Sequence, residues 1–349
     1  MAKENKPVGG AQAAGEPILL AGERQKLTWN LVLLKYNAVI MLVLLIIAST
    51  ILSPRFFTYL NLVNVLRQQS FYIVITMGMM ICMASGGVDL ALASVVGFAC
   101  CMMTEFIQVY HLGIVGSLIA VLVCCMFIGA ISGWLVAYLN MAPFIVTLCM
   151  GFNLTGVVYL ITLGANRQLV DATGIATGSL KTFLDFGMQN DPLLRLPWRF
   201  WFAVVMVAIT WYVMSYTSFG RLMLATGSNP GAARLAGIDV RKYRMAGLII
   251  VALCSGMTGI IITASTGASA ISTMQGDYTM IAMAASIIGG STLEGGGGNV
   301  LFTVTGVFVM GLINNILNLL NIAFQTQFIM KAMVIIFAIY LRSAVDKRV

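Results

Sequence analysis

Charge is what this sequence has least of: 9% of its 349 residues are Asp, Glu, Lys or Arg, against roughly 25% in an average soluble domain. A soluble globule of that size could not cover its surface with so few charges. A disordered chain would be far less apolar than 60%. Histidine occurs once, at His111, with no companion at metal-ligand spacing. The seven cysteines (Cys82, Cys100, Cys101, Cys124, Cys125, Cys149 and Cys254) sit in apolar runs and form no CxxC pair. They read as small buried apolar side chains rather than as a disulfide framework or a zinc site. No G-x-x-x-x-G-K-[ST], H-E-x-x-H or G-x-S-x-G motif occurs, and no apolar run carries rows of arginine. ATP binding by this chain itself, zinc or serine hydrolysis and voltage sensing are thereby set aside. The net charge of +8 does not point to nucleic acid, because the basic residues cluster at the ends of apolar runs and in one central loop.

What is present is apolar sequence in long, unbroken runs without period-two alternation, so the class is all-α: a polytopic transmembrane helical bundle. Apolar runs and their breakers give spans at 31–52, 71–86, 90–110, 114–139, 143–164, 199–216, 246–268, 279–290, 299–321 and 325–342, about ten in all. The stretch 56–69 reads as a partly polar connection. Residues 1–30 are polar and lack the short apolar core and cleavage site of a signal peptide, so the expectation is a cytoplasmic tail followed by a retained first span. Lys3, Lys6, Arg24, Lys26, Lys35, Arg221, Arg234, Arg241, Lys242, Arg244, Arg342, Lys347 and Arg348 fall on one side if the N-terminus is cytoplasmic, 13 of the 20 basic residues. The positive-inside rule then puts both termini in the cytoplasm. The transmembrane domain is 31–342, with an external loop at 165–198, a cytoplasmic loop at 217–245 and a short tail at 343–349. Gly86-Gly87-Val88-Asp89 and the run Gly289-Gly290 through Glu294 to Gly295–Gly298 are similar interruptions in the two halves. They fit an internal repeat of two halves, and equally glycines used for helix packing.

Within 217–245, Asn229 suits an N-cap, Pro230 the first helical position and Gly237 a stop, predicting a short helix over 230–236. A helix so short melts unless it docks, either on lipid headgroups or in a groove of a partner, where Ala233 and Leu235 would pack with Arg234 at the rim. Asp89 either faces a polar cavity or ends a span near the interface, the turn being the better structural reading. Glu105 and Lys331 read as snorkelling residues near interfaces. Asn153, Asn314, Asn315 and Asn318 are polar groups within spans, suited to interhelical hydrogen bonds or to lining a solute path. Gly129 and Gly133 form a GxxxG packing pair.

Taken in order, several stretches resemble the membrane permeases of bacterial ribose/galactose-type sugar ABC importers. Ser53-Pro54-Arg55-Phe56-Phe57-Thr58 with Asn61-Leu62-Val63-Asn64-Val65-Leu66 resembles the segment after the family's first span. Gly86-Gly87-Val88-Asp89-Leu90 is similar to its G-G-I-D-L, and Pro143-Phe144-Ile145-Val146-Thr147-Leu148 to its P-F-I-x-T-L. Phe219-Gly220-Arg221 through Gly227-Ser228-Asn229-Pro230, Ala232-Ala233 and Gly237-Ile238 resembles the loop F-G-R…G-x-N-x-x-A-A…G-I. The run 289–296 and Asn314-Asn315 fit as well. The family's Y-E-L-D-A-I-A-A reads here Tyr278-Thr279-Met280-Ile281-Ala282-Met283-Ala284-Ala285, without its acids, and Leu-Ala-Leu-Ala-Ser follows Asp89 where the family has L-S-V-G-S.

The resemblance implies a permease in the bacterial inner membrane that moves a monosaccharide. Its partners would be a second permease copy or homologue, a cytoplasmic ATPase holding ATP and Mg, a periplasmic sugar-binding protein and membrane lipid. No cofactor is expected in this chain and no nucleic acid among its partners. Asn229, Pro230, Ala232, Ala233, Arg234 and Gly237 would couple to the ATPase; Asp89, Thr147, Asn153, Asn314, Asn315 and Asn318 would line the substrate pathway. The runner-up from the residues is a stand-alone secondary transporter of a small polar solute. Asp89, Glu105 and Glu294 are scattered for the titratable network that it would need.

Overall fold

The computed structural model describes residues 37–169, 178–269, 271–323, 325–333 and 336. The tails 1–30 and 343–349 with their basic residues, residues 31–36 of the first span and most of 334–342 lie outside the described residues. So does 170–177 of the loop 165–198.

The helices are α1 (Asn37–Leu52), α2 (Tyr59–Ala84), α3 (Leu92–Gln108), α4 (Gly113–Ala137), α5 (Pro143–Thr162), α6 (Gly178–Met188), α7 (Trp198–Tyr216), α8 (Ser218–Ser228), α9 (Pro230–Leu235), α10 (Val240–Thr266), α11 (Tyr278–Ile288) and α12 (Val300–Leu319). A 3-10 turn, Ile271–Gln275, precedes α11, and residues 325–333 are again helical. Six of them (α2, α4, α5, α7, α10 and α12) are long and apolar enough to cross a membrane. These six divide sharply. In α2, α10 and α12, 72, 67 and 72% of the apolar stretch is buried; in α4, α5 and α7 the shares are 22, 28 and 22%. The first three form the interior, packing Val74, Met77, Ile261, Val307 and Met310 with Ile281 of α11. The other three turn Phe127, Phe144, Phe152, Leu160 and Tyr212 outward, as a lipid-facing helix does.

The apolar helices α3 and α11 are shorter than the hydrocarbon core is thick. At 1.5 Å per residue α3 is about 25 Å long and α11 about 17 Å, against a hydrocarbon core of about 30 Å. Irregular backbone flanks each of them and is tolerated because protein surrounds it. Before α3, Asp89 is buried and its Oδ1 accepts from Ala91 N (2.8 Å), while Thr147 Oγ1 of α5 accepts from Leu90 N (3.0 Å). Asp89 thus sits in a turn, with its carboxylate inside the protein.

Several expectations change. Residues 59–69 belong to α2, not to a connection. Their polar groups are partnered from afar: Asn61 and Asn315 exchange two hydrogen bonds (3.1 and 2.7 Å), and Arg67 Nη2 donates to Asn190 Oδ1 (2.9 Å). Glu105 and Lys331 do not snorkel. Glu105 is buried and paired with Arg167; Lys331 is buried and donates to Asp277 Oδ2 at 2.7 Å, with Tyr72 Oη donating to Oδ1 at 3.1 Å. The loop 165–198 contains the helix α6, and the loop 217–245 is mostly helix, with α10 beginning at Val240. Cys82, Cys100, Cys101, Cys125 and Cys254 are buried and unbridged, but Cys149 is exposed on α5. The GxxxG pair packs as read: a methyl at Gly129 would stand 2.8 Å from Leu248 O of α10.

Candidate functional site

The segment 217–245 builds its own framework from local signals. Thr217 Oγ1 accepts from Gly220 N (3.3 Å) at the start of α8, and Asn229 Oδ1 accepts from Ala232 N (3.0 Å) at the start of α9. Pro230 occupies the first turn of α9, Gly237 N bonds Arg234 O (3.0 Å), and Gly237 stops the helix at φ +78°. Asp239 Oδ1 then accepts from Arg241 N (3.2 Å) and starts α10. The predicted short helix is thus present, one residue shorter than expected, with its cap and stop as read.

Ala233 is buried within the chain, whereas Leu235 is 93% exposed and Ala232 and Arg234 also face outward. Of the two residues expected to enter a partner's groove, only Leu235 is free to do so. Beside it runs a groove of about 370 Å³ lined by Asn140, Arg234, Ile238, Asp239, Val240 and Arg241. Arg241 stands 6.0 Å over the Tyr138 ring, so the end of α4 and the start of α10 share this wall.

Immediately before α9, three stretches of backbone converge. Gly296 N bonds Ala84 O (3.2 Å), joining the end of α2 to the loop between α11 and α12. Gly227 fills the angle between them: a methyl there would lie 1.9 Å from Ala84 O and 2.6 Å from Gly296 N. Gly295 has φ +109°, and a methyl on it would meet Gly227 O and Gly86 Cα, each at 2.8 Å. Backbone meets backbone closely here, with the Ser228 side chain against Gly296, so the end of α8, the end of α2 and the 289–298 loop are packed as one junction. The two glycine-rich interruptions noted in the sequence are therefore neighbours in space, a proximity that no spacing in the chain announces. Gly227 lies inside the quoted loop motif, yet its signal is only that a non-turn, helical position carries glycine.

The polar residues proposed for a pathway fall in three places. Asp89 and Thr147 hold the turn before α3. Asn314 and Asn315 are buried on α12, where Asn315 pairs with Asn61 of α2, and Asn318 accepts from Gln327 Nε2 (2.9 Å). Asn314 Oδ1 is buried without a hydrogen-bond partner. Asn153 stands apart on the exposed face of α5, in an apolar groove of about 450 Å³ shared with α4. Among the described residues no cluster of His, Cys, Asp or Glu is arranged to hold a metal.

Residues 61–339 match the family described as branched-chain amino acid transport system / permease component. The chain is similar to the ribose import permease protein of Haemophilus influenzae, 32% identical over 308 residues that cover 88% of this chain and 92% of that protein. The ribose import permease protein of Escherichia coli K12 is 33% identical over 303 residues, 87% of this chain and 91% of the relative. The galactose/methyl galactoside import permease protein of the same strain is 30% identical over 329 residues, 89% and 94% of the two chains. No solved structure matches.

Proposed function

Because the chain belongs to the family of branched-chain amino acid transport system / permease components, we propose that it forms the membrane pathway of an ATP-binding-cassette importer whose cargo is a monosaccharide. Its activity is transport, not catalysis; ATP and Mg belong to a separate ATPase subunit, and a periplasmic binding protein delivers the sugar. The cargo class rests on the ribose and galactose permeases among its relatives. The stand-alone transporter loses support because Glu105 is neutralised by Arg167, Asp89 is spent on a turn, and Glu294 is exposed in the 289–298 loop.

The finer reading is a bacterial inner-membrane protein with ten crossings, counting α1, the short α3 and α11 and the segment 325–342 with the six long helices. Both termini and 217–245 are cytoplasmic and 165–198 is external. The meeting of the two glycine breaks supports their equivalence in a two-half organisation. A second permease copy would cover the α4–α5 groove with Asn153.

The observation that carries the mechanism is the capped helix α9, with Leu235 outward, set directly beyond the junction of Ala84, Gly227 and Gly296. Leu235 and Arg234 engage the ATPase; closure of the ATPase pair pushes α9, and the rigid junction passes the motion to α2 and to the loop leading into α12. Asn229, Pro230 and Gly237 hold α9 at the length and angle this needs, and Ala233 anchors it to its own chain. ATP binding shifts the equilibrium between inward and outward states only by the difference in its affinity for them.

The test is Leu235→Glu in a tagged permease co-expressed with the ATPase. The substitution should abolish uptake and reduce ATPase co-purification while the chain inserts and unfolds at the normal temperature. Undiminished ATPase recovery with normal uptake would refute the coupling role. Orientation is tested with Lys181→Cys and Ala232→Cys in intact cells. An impermeant thiol reagent should label the first and spare the second, and the reverse pattern inverts the topology.

A further inference from the structure

At the end of the bundle opposite α9 stand two arginines that enter no ion pair among the described residues. Arg199, at the start of α7, is 9% exposed, and its guanidinium lies 4.8 Å over the Phe71 ring and donates through Nη1 to Ser265 Oγ of α10. Arg67, half-buried on α2, donates through Nη2 to Asn190 Oδ1. The backbone that follows α6 brings the two together: Asn190 pairs with Pro197, and Trp198 N bonds Gln189 O, so Arg67's acceptor is anchored beside the root of Arg199. Phe71, beneath the Arg199 guanidinium, lies one helical turn beyond Arg67 on α2, so both arginines belong to the same stretch of that helix. Among the described residues the ion pairs are Arg167–Glu105, Lys242–Asp239 and Lys331–Asp277, and neither Arg67 nor Arg199 takes part in one. The Nε of each is buried with no hydrogen-bond partner.

A buried cation without a counter-charge is costly. Two other buried charges among the described residues are neutralised in place, Glu105 by Arg167 and Lys331 by Asp277. Neutral hydroxyls do not require such a pair, and both neutral acceptors present, Asn190 Oδ1 and Ser265 Oγ, leave donors over. A carboxylate or a phosphate offers two oxygens that the terminal nitrogens left over on the two guanidinium groups can meet, each Nε being enclosed by protein. We propose that Arg67 and Arg199 form a binding site for a carboxylate or phosphate group presented at this end of the protein, carried by a small solute or by a lipid headgroup. The solute arm rests on the transport reading and narrows it, since a sugar acid or sugar phosphate would be selected over a neutral sugar. The site itself does not depend on that reading.

The experiment uses the full-length chain in nanodiscs of phosphatidylcholine, with thermal unfolding followed as sodium phosphate or sodium glucuronate replaces sodium chloride at constant ionic strength. Either anion should raise the unfolding temperature of the parent saturably. Arg67→Gln should weaken the apparent affinity by about tenfold or more, the scale of losing a charge-assisted hydrogen bond. Arg67→Lys, which keeps the charge but loses the fork, should fall between the two. A second set of discs containing phosphatidylglycerol separates the sources: if the lipid gives the full shift and the soluble anions add nothing, the headgroup supplies the phosphate. Since Arg199→Gln removes a packed side chain, the deciding substitution is the one at the half-buried Arg67. An identical response of the parent and Arg67→Gln, or no shift of the parent in either lipid, overturns the site. These measurements need neither ATPase nor uptake, so their failure leaves the transport reading standing.

Discussion

The helices α10 and α4 are almost alike in sequence terms: 27 and 25 residues, mean hydropathy 2.3 and 2.8 over their apolar windows. In the folded chain they are opposites, the first mostly enclosed by protein and the second mostly turned outward. In a membrane, apolar character states only that a segment avoids water; it does not distinguish lipid from protein as the neighbour. Small residues mark where a helix touches protein, in either set: Gly129 and Gly133 of α4 pack closely on α10. Gly259 of α10 has Val96 O where a methyl would go, at 2.4 Å, whereas a methyl at Gly156 of α5 meets nothing within 4 Å. The enclosed helices α2 and α12 exchange amide hydrogen bonds, whereas Asn153 of α5 is exposed.

This contrast can be broken by substitutions of graded severity, each read by thermal unfolding of the purified chain. The largest effect should come from Lys331→Met, which strands Asp277 among Tyr72 and the packed interior. Removing one partner of a buried pair costs about 3–5 kcal/mol, and a loss under about 1 kcal/mol would mean that water reaches the pair. Next is Gly259→Ala, for which overpacking against the backbone of α3 predicts a loss of about 1–3 kcal/mol. Asn315→Ala should cost less, about 0.6–1.7 kcal/mol on the scale of hydrogen bonds between membrane helices. Smallest is Gly156→Ala, expected to be neutral or stabilising by up to about 1 kcal/mol in the isolated chain. If it leaves the isolated chain unharmed but impairs the assembled transporter, another subunit covers the face of α5, and the contrast must be redrawn for the complex.

Legibility in the sequence follows the distance between partners. The cap at Asn229, the proline after it and the stop at Gly237 act within nine residues of chain, and α9 is visible from them alone. The polar start of α2 reads as a connection because Asn61 is answered by Asn315, 254 positions away, and Arg67 by Asn190. Glu105 and Lys331 read as interfacial for the same reason, their counter-charges standing on remote segments. Ala233 and Leu235 are equally apolar candidates for a partner's groove, and only the packing of α9 on its own chain tells them apart. The junction at Gly227 is hidden in a motif that can be quoted without showing what the glycine touches.

The brevity of α3 and α11 also bears on how the chain is assembled. A segment of 11 residues flanked by irregular backbone has nowhere to rest in lipid by itself. Its surroundings are satisfied only by others: Thr279 Oγ1 accepts from Ala93 N, and the glycine loop beyond α11 is tied to Ala84 O. What lipid offers a long helix, the neighbouring helices must offer these two, so their place in the bilayer is a property of the assembled fold and not of their own sequence.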